Sequence, residues 1–225
     1  MEAARLIQKY SLLHLGGAGL FLLNMKIIAF LGSPRKEGNT ELLLKEVIKG
    51  VSEAPTKEGE LNVQVFELNS MDIRPCQNCG GCDETGECII HDDMDEVYDA
   101  IRISSRIILA SPIFFSGLSA QIKTMIDRCQ SFWCEKYLLK KPPHLSGGVG
   151  WGGERRGLLL LVGARREREG LRCSEAQAKA FFRTINVFRH TTLSYLGIHE
   201  KGEILKHKTA LKEAYEAGKR LAHTY

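Results

Sequence analysis

Four of the seven cysteines fall in one short run, Cys76-x2-Cys79-x2-Cys82-x5-Cys88. Thiolates this close along a chain can converge on one metal centre without help from a distant segment. Gly80 and Gly81, lacking Cβ, let the backbone curl around such a centre and direct N–H groups at its sulfur atoms. The chemistry this run offers is ligation of a cubane iron–sulfur cluster by four cysteines. Zinc is the main metal competitor, but four-cysteine zinc sites usually use two separated Cys-x2-Cys knuckles, and here Cys79 would belong to both. A redox dithiol and a metal-free loop also stay open. A disulfide framework is disfavoured, because Cys-x2-Cys steps in a chain with no secretory context point to metal or redox chemistry.

Two further stretches have ligand-like chemistry. Residues 32–40 read Gly-Ser-Pro-Arg-Lys-Glu-Gly-Asn-Thr. Ser33, Asn39 and Thr40 offer polar donors, Arg35 offers charge, and the helix that opens here directs free N–H groups outward, which suits a terminal phosphate. The stretch is neither Gly-x-Gly-x-x-Gly nor a Walker loop, so it has no evident means of holding a magnesium nucleotide. The plain alternative is a turn with Thr40 as N-cap. The second stretch is Ser111-Pro112-Ile113-Phe114-Phe115-Ser116-Gly117. Two aromatics among small residues at the carboxyl end of a strand suit a flat ring whose edge is read by backbone groups. The plain alternative is that Phe114 and Phe115 plug the core.

The elements that must position these stretches follow from periodicity. Short apolar runs at residues 26–31, 61–68, 106–110, 157–162 and 190–196 read as strands. Between and after them, helical spacing covers residues 40–51, 94–101, 118–132, 174–187 and 206–222, with Asp92-Asp93 and Ser174 as expected N-caps. Five strands alternating with helices predict an α/β doubly wound parallel sheet with helices on both faces. The cysteine run follows the second strand, and ligands should sit in the crevice beyond the carboxyl ends of the strands. Residues 140–153, rich in Pro and Gly, form the one long loop inside the domain.

Composition narrows the class. A chain of 225 residues with 44% hydrophobic content can bury a core as a single α/β domain. The net charge of +4 is modest, and basic residues are scattered among acidic ones except at Arg155-Arg156 and residues 165–168, so no nucleic-acid stripe is present. An odd number of cysteines with four in a metal-like run suggests a reducing cytoplasm. Residues 1–24 read as an extension with no catalytic role, or as sequence ahead of a true start at Met25; the domain proper spans residues 25–225. The apolar stretch at 12–23 is shorter than the roughly 20 residues of a membrane span, and no small-x-small cleavage site follows it.

Taken together, Gly-Ser-Pro-Arg-x-x-Gly-Asn-Thr after the first strand, the four-cysteine run followed by Asp92-Asp93-Met94, and Ser-Pro-Ile-Phe-Phe-Ser-Gly leading to Lys123-x-x-Ile-Asp127-Arg128 resemble the iron–sulfur flavoproteins. That family lies within the flavodoxin-like, NAD(P)H-dependent FMN reductase superfamily. The resemblance runs from about Met25 to the C-terminus, and the cysteine run is its most diagnostic part. It implies a flavodoxin-like fold, noncovalent FMN, a 4Fe-4S cluster, and a homo-oligomer, commonly a tetramer, in which cluster and flavin of neighbouring subunits approach each other. It further implies that Ser33, Arg35, Gly38, Asn39 and Thr40 hold the FMN phosphate, that Pro112, Ile113, Phe114, Phe115, Ser116 and Gly117 line the isoalloxazine, and that Cys76, Cys79, Cys82 and Cys88 ligate iron. The loop from Gly163 to Glu167 would form a third edge of the flavin pocket. Electrons would come from a ferredoxin-type or NAD(P)H donor, with no acid–base residue required at the ring. The alternative is an NAD(P)H-dependent FMN or quinone reductase without a cluster.

The remaining candidates have plainer readings. Cys129, Cys134 and Cys173 are most simply small core or surface residues. His91 reads as a loop residue beside the fourth ligand, and Asp127-Arg128 as a structural pair at a helix end. Trp133 and Trp151 suit a subunit interface.

Overall fold

An apolar run without alternation must be covered on both faces, and Ile27–Leu31 is such a run, with all five residues buried. In the computed structural model, which describes residues 26–55, 61, 63–141 and 154–223, this run is β1. The other strands are β2 (Val63–Glu67), β3 (Arg106–Phe114), β4 (Gly117–Leu118), β5 (Arg156–Gly163) and β6 (Arg189–Leu196). The sheet order is β2-β1-β3-β5-β6, parallel throughout, and β4 is a short antiparallel hairpin arm on β3. The helices are α1 (Asn39–Ser52), α2 (Gly81–Thr85), α3 (Met94–Ile103), α4 (Ala120–Arg128), α5 (Gln130–Trp133), α6 (Arg168–Thr184) and α7 (Ala210–Ala222).

Strand residues alternate between two cores. Ile28, Phe30, Ile107, Leu109, Leu159 and Leu161 pack with α3, α4 and α6, while Ile27, Ala29, Leu31, Ile108, Leu158 and Leu160 pack with α1 and α7. This is the flavodoxin-like arrangement expected from the sequence, with five parallel strands and helices on both faces.

Helices α1 and α7 cross at backbone distance. A Cβ on Gly50 would lie 2.0 Å from the Tyr215 carbonyl oxygen, and one on Gly218 would lie 2.0 Å from that of Val47. Backbone cannot swing aside as a side chain can, so overpacking should exceed the gain in helix propensity of about 1 kcal/mol that alanine brings. Gly218→Ala is expected to lower stability by about 1–3 kcal/mol, read as a lower urea midpoint at unchanged m-value. A midpoint equal to or above wild type would show that the helices can separate freely.

Several boundaries differ from the sequence reading. Strand β3 continues four residues past Ala110, through Pro112 to Phe114. The expected single helix over residues 118–132 is instead α4 followed by α5 and a π-helical turn, Cys134–Leu138. Ser174 does not cap a helix; it lies buried inside α6, which begins at Arg168. The last helix starts at Ala210, after a 3-10 turn at Glu203–Lys206. Arg155, one of the two adjacent basic residues noted in the sequence, is buried and donates to the carbonyls of Ile185 at 2.7 Å and Ile101 at 2.5 Å, tying the ends of α6 and α3 together. The readings of residues 1–24 and Trp151 lie outside the described residues, as does most of the loop at 140–153.

Candidate functional site

The strands run parallel, so the loops that follow β1, β3 and β5 emerge at the same end of the sheet. Leu31 pairs with Ala110, and Ala110 with Leu160. Beyond this end lies a crevice of about 530 Å³ lined by Ile113, Phe115, Ser116, Gly163, Ala164, Arg165, Glu167, Glu169, Gly170 and Leu196. That volume falls in the range of small-molecule sites.

The rim of the crevice is a tight hairpin. Phe114 pairs with Gly117, leaving Phe115 (φ 46°) and Ser116 (φ 60°) as a two-residue turn with both residues left-handed. Non-glycine residues in this region are strained and are tolerated where surrounding structure holds them. Phe115 is fully exposed and Phe114 is 48% exposed, so neither plugs the core. Of the residues the sequence assigns to a flat ring, Ile113, Phe115, Ser116 and Gly163 line the crevice; Pro112, Phe114 and Gly117 lie on the same hairpin without lining it.

The loop ahead of α1 stands at the same end of the sheet. The helix is capped by position at Gly38 with no side-chain cap hydrogen bond, so Thr40 is not the N-cap and the first-turn N–H groups remain without a side-chain acceptor. Ser33 Oγ accepts from the Arg35 N–H at 3.3 Å. Asn39 is turned elsewhere: its amide donates to the Glu200 carbonyl at 2.8 Å and accepts from the Ile204 N–H at 3.2 Å. Thr40 is buried, and Arg35 and Gly38 stay at the loop.

The cysteine run forms a second site. Cys76, Cys79, Cys82 and Cys88 all line one recess, together with Arg128, Gln130 and Ser131. Gly80 (φ 74°) and Gly86 (φ 76°) take left-handed conformations at the two ends of α2, bending the chain around that recess. At Gly86 a Cβ would also meet Glu135 Cγ at 2.4 Å. No three of the four sulfurs lie within 4.8 Å of one another, since the tight metal-like trio among the described residues is instead Cys82, Asp83 and Cys134. A tetrahedral zinc with Zn–S of about 2.3 Å would draw all four sulfurs to about 3.8 Å. The four sulfurs thus stand farther apart than a tetrahedral zinc would hold them.

Cys134 is a residue the sequence reading missed. It is buried, as expected of a small core residue, but its Sγ lies 3.7 Å from Cys82 Sγ and 3.3 Å from Asp83 Oδ1. Burial, with Asp83 and Cys82 beside it, pushes its thiol up to about 12. The π-helical turn that carries it is anchored by Glu135, which accepts two bonds from Arg102 at 3.0 and 2.6 Å. Cys129 is buried in the core and Cys173 is exposed on α6. His91 is an exposed loop residue 3.2 Å from Asp95.

The mouth of the cysteine loop is closed by polar bonds. Arg74 N–H donates to Asp92 Oδ2 at 2.9 Å and Arg74 Nη2 to the His91 carbonyl at 2.7 Å, while Asp72 N–H donates to Asp93 Oδ2 at 2.7 Å. Arg128, with a side chain 0% exposed, reaches in from the end of α4. Its Nη1 donates to Asp92 Oδ2 at 2.6 Å and to the Arg74 carbonyl at 2.8 Å, and its Nη2 donates to the Ile90 carbonyl at 2.9 Å. The expected Asp127-Arg128 pair does not form, because Asp127 binds Lys123 at 2.7 Å instead. Burial alone would raise Asp92, but the bonds from Arg128, Arg74 and Met94 outweigh it and hold the carboxyl below its ordinary value.

Arg128 Nε and Ser131 Oγ, both on residues of the recess wall, are buried with no hydrogen-bond partner among the described residues. Unpaired donors of this kind carry a substantial cost when nothing fills the space before them. Four thiols and two unpaired donors around one recess are a donor set that fits an anionic, sulfur-rich centre.

The chain is similar to known proteins both in sequence and in fold. The family model for NADPH-dependent FMN reductase matches residues 25–189. An iron-sulfur flavoprotein of Methanocaldococcus jannaschii is 38% identical over 133 residues, 59% of this chain and 65% of that protein. Iron-sulfur flavoproteins of Archaeoglobus fulgidus and Methanosarcina thermophila are 38% and 32% identical over 46% and 59% of this chain. Each alignment spans less than two thirds of the relative's length, at 65%, 45% and 66%. Among solved structures, a NAD(P)H:quinone oxidoreductase from Methanothermobacter marburgensis superposes with a TM-score of 0.65 at 19% identity, covering 90% of this chain and 98% of that one. An FMN-dependent NADH-azoreductase of Bacillus anthracis in complex with FMN gives 0.63 at 15% identity, covering 88% and 100%. At these identities the superpositions establish the fold.

Proposed function

From the premise that the chain belongs to the NADPH-dependent FMN reductase family, we propose that it is an FMN-dependent oxidoreductase of the iron–sulfur flavoprotein type, with FMN in the crevice and a 4Fe-4S cluster on Cys76, Cys79, Cys82 and Cys88. The observation that carries this reading is the convergence of those four thiols on one recess. When bound, FMN supplies transfer of electrons singly or in pairs and a cubane supplies transfer of one, so a chain holding both can link hydride-type to single-electron donors and acceptors.

The protein's own work is positioning. The uncapped start of α1, with Ser33, Arg35 and Gly38, offers N–H groups and charge to a phosphate. The strained Phe115-Ser116 turn sets the rim against which a ring lies. Gly163 keeps the floor open, since a Cβ there would press on Leu196 at 3.1 Å and Ile113 at 3.3 Å. Arg165 brings a positive charge to the crevice wall. No side chain in the crevice is asked to move a proton.

The donor is a ferredoxin-type protein or NAD(P)H, the setting is cytoplasmic, and the assembly is a homo-oligomer, a tetramer, bringing the cluster of one subunit towards the flavin of another. Seven free thiols support the reducing setting. Among the described residues, no helix is long and apolar enough to cross a membrane.

Anaerobic purification followed by elemental and flavin analysis tests the reading. Iron and acid-labile sulfide near four per chain and FMN near one are expected, with a brown spectrum. FMN without iron would make the chain a plain flavin or quinone reductase, and zinc near one per chain would assign the recess to that metal.

A further inference from the structure

Arg128 is a costly residue to have buried. Removing a guanidinium from water is repaid when its charge is paired and its five N–H donors are satisfied. Its two Nη groups pair the charge with Asp92 and place three of their four N–H donors, on Asp92 and the carbonyls of Arg74 and Ile90, at the mouth of the cysteine loop. Nε has no partner among the described residues, although its residue forms part of the wall around the four cysteines. A single carboxylate, Asp92, balances the cation by direct contact.

We propose that Arg128 is a cluster-binding residue: its Nε–H donates a hydrogen bond to a sulfur of the iron centre, and its charge stabilises the reduced, more negative state of that centre. This rests on the cluster reading above. The polarity follows from charge. Reduction adds one electron and no proton, so the centre becomes more negative beside a fixed cation and the reduced form is the one favoured. At an effective dielectric of about 20 and a separation of roughly 6 Å, one charge changes the equilibrium by roughly ten- to a hundredfold.

Two measurements on the full, cluster-loaded chain test this. The first uses wild-type protein labelled with 15N-arginine and reduced with dithionite, read by pulsed electron paramagnetic resonance. Arg128 is the arginine that lines the recess, so a 15N hyperfine coupling and an exchangeable proton at the cluster are expected. The second compares wild type with Arg128→Lys and Arg128→Met by anaerobic redox titration alongside iron and sulfide counts. Met is expected to lower the equilibrium constant for cluster reduction at least tenfold, about 59 mV for one electron, and Lys to lower it less.

Absence of the nitrogen coupling, with unchanged potentials in the variants, overturns the proposal while leaving the cluster reading intact. Loss of iron in the variants with an unshifted potential for the cluster that remains makes Arg128 a purely structural clamp, which also overturns it. Wild-type protein that holds no iron removes both readings together.

Discussion

Anaerobically prepared Cys79→Ala protein is expected to retain less than about a tenth of the wild-type iron, to lose the brown absorption, and to keep FMN at wild-type stoichiometry. Cys79 lies centrally in the run and is exposed, as is Cys76. An iron that kept only three protein ligands at that exposed face would be open to water and oxidants, which would promote loss of the whole centre. Cys134 Sγ stands 3.7 Å from Cys82 Sγ, so a spare thiol can mask the loss of Cys82 more readily. Flavin should survive because the crevice and the recess share no lining residue. Reduction of that flavin by a one-electron, ferredoxin-type donor should slow by at least about tenfold. Cys173→Ala, on the exposed face of α6, should match wild type in all these properties. Wild-type iron in the Cys79 variant would mean that other residues hold the metal.

The parts of this molecule that were legible in the sequence are those that local pattern dictates. Continuous apolar runs marked β1, β3 and β5 because a strand covered on both faces tolerates little else. The cysteine spacing marked the recess because short spacers leave the thiols few other places to go. What pattern misled on was set by tertiary context. Pro112 reads as part of the loop that follows a third strand ending at Ala110. It sits in β3 because the β1 partner register ends at Ala110, leaving Pro112 paired with Val162 alone. Helix α6 begins at Arg168, ahead of the Ser174 that resembled a cap, and Gly170 in its first turn packs against the hairpin. A Cβ there would lie 2.9 Å from Ile113 Cγ2 and 3.2 Å from Ser116 Cα. Arg128 gave no local sign of its role, because its partners at Arg74, Ile90 and Asp92 are 54, 38 and 36 residues away in sequence. Cys134 was invisible for the same reason, lying 52 residues from Cys82. In the sequence, Asp127 beside Arg128 looked only like a local pair.

The Asp92–Arg128 contact carries the largest effect expected on stability. Their side chains are 2% and 0% exposed, and the contact is 2.6 Å. Asp92 also accepts from the N–H groups of Arg74 at 2.9 Å and Met94 at 3.0 Å. Asp92→Asn leaves the guanidinium buried without its counter-charge and turns an amide NH2 towards groups that are themselves donors. The expected cost is about 3–5 kcal/mol at pH 7, measured as the difference in unfolding free energy from denaturant titration. The sign with pH follows from linkage. The carboxyl is held below its ordinary value in the folded chain, so its stabilisation is fully present above the unfolded pKa of about 3.9 and disappears as pH falls through the lower folded value. The groups that face it are the guanidinium groups of Arg128 and Arg74. The gap between wild type and variant should therefore be flat from pH 7 to pH 5 and close below about pH 4. Taking the difference cancels any acid-driven loss of metal common to both proteins. A gap under about 1 kcal/mol at pH 7 would mean that the pair behaves as a solvated surface bridge. The loop mouth would then be held by its backbone bonds, with Arg128 free to move away from the cysteines.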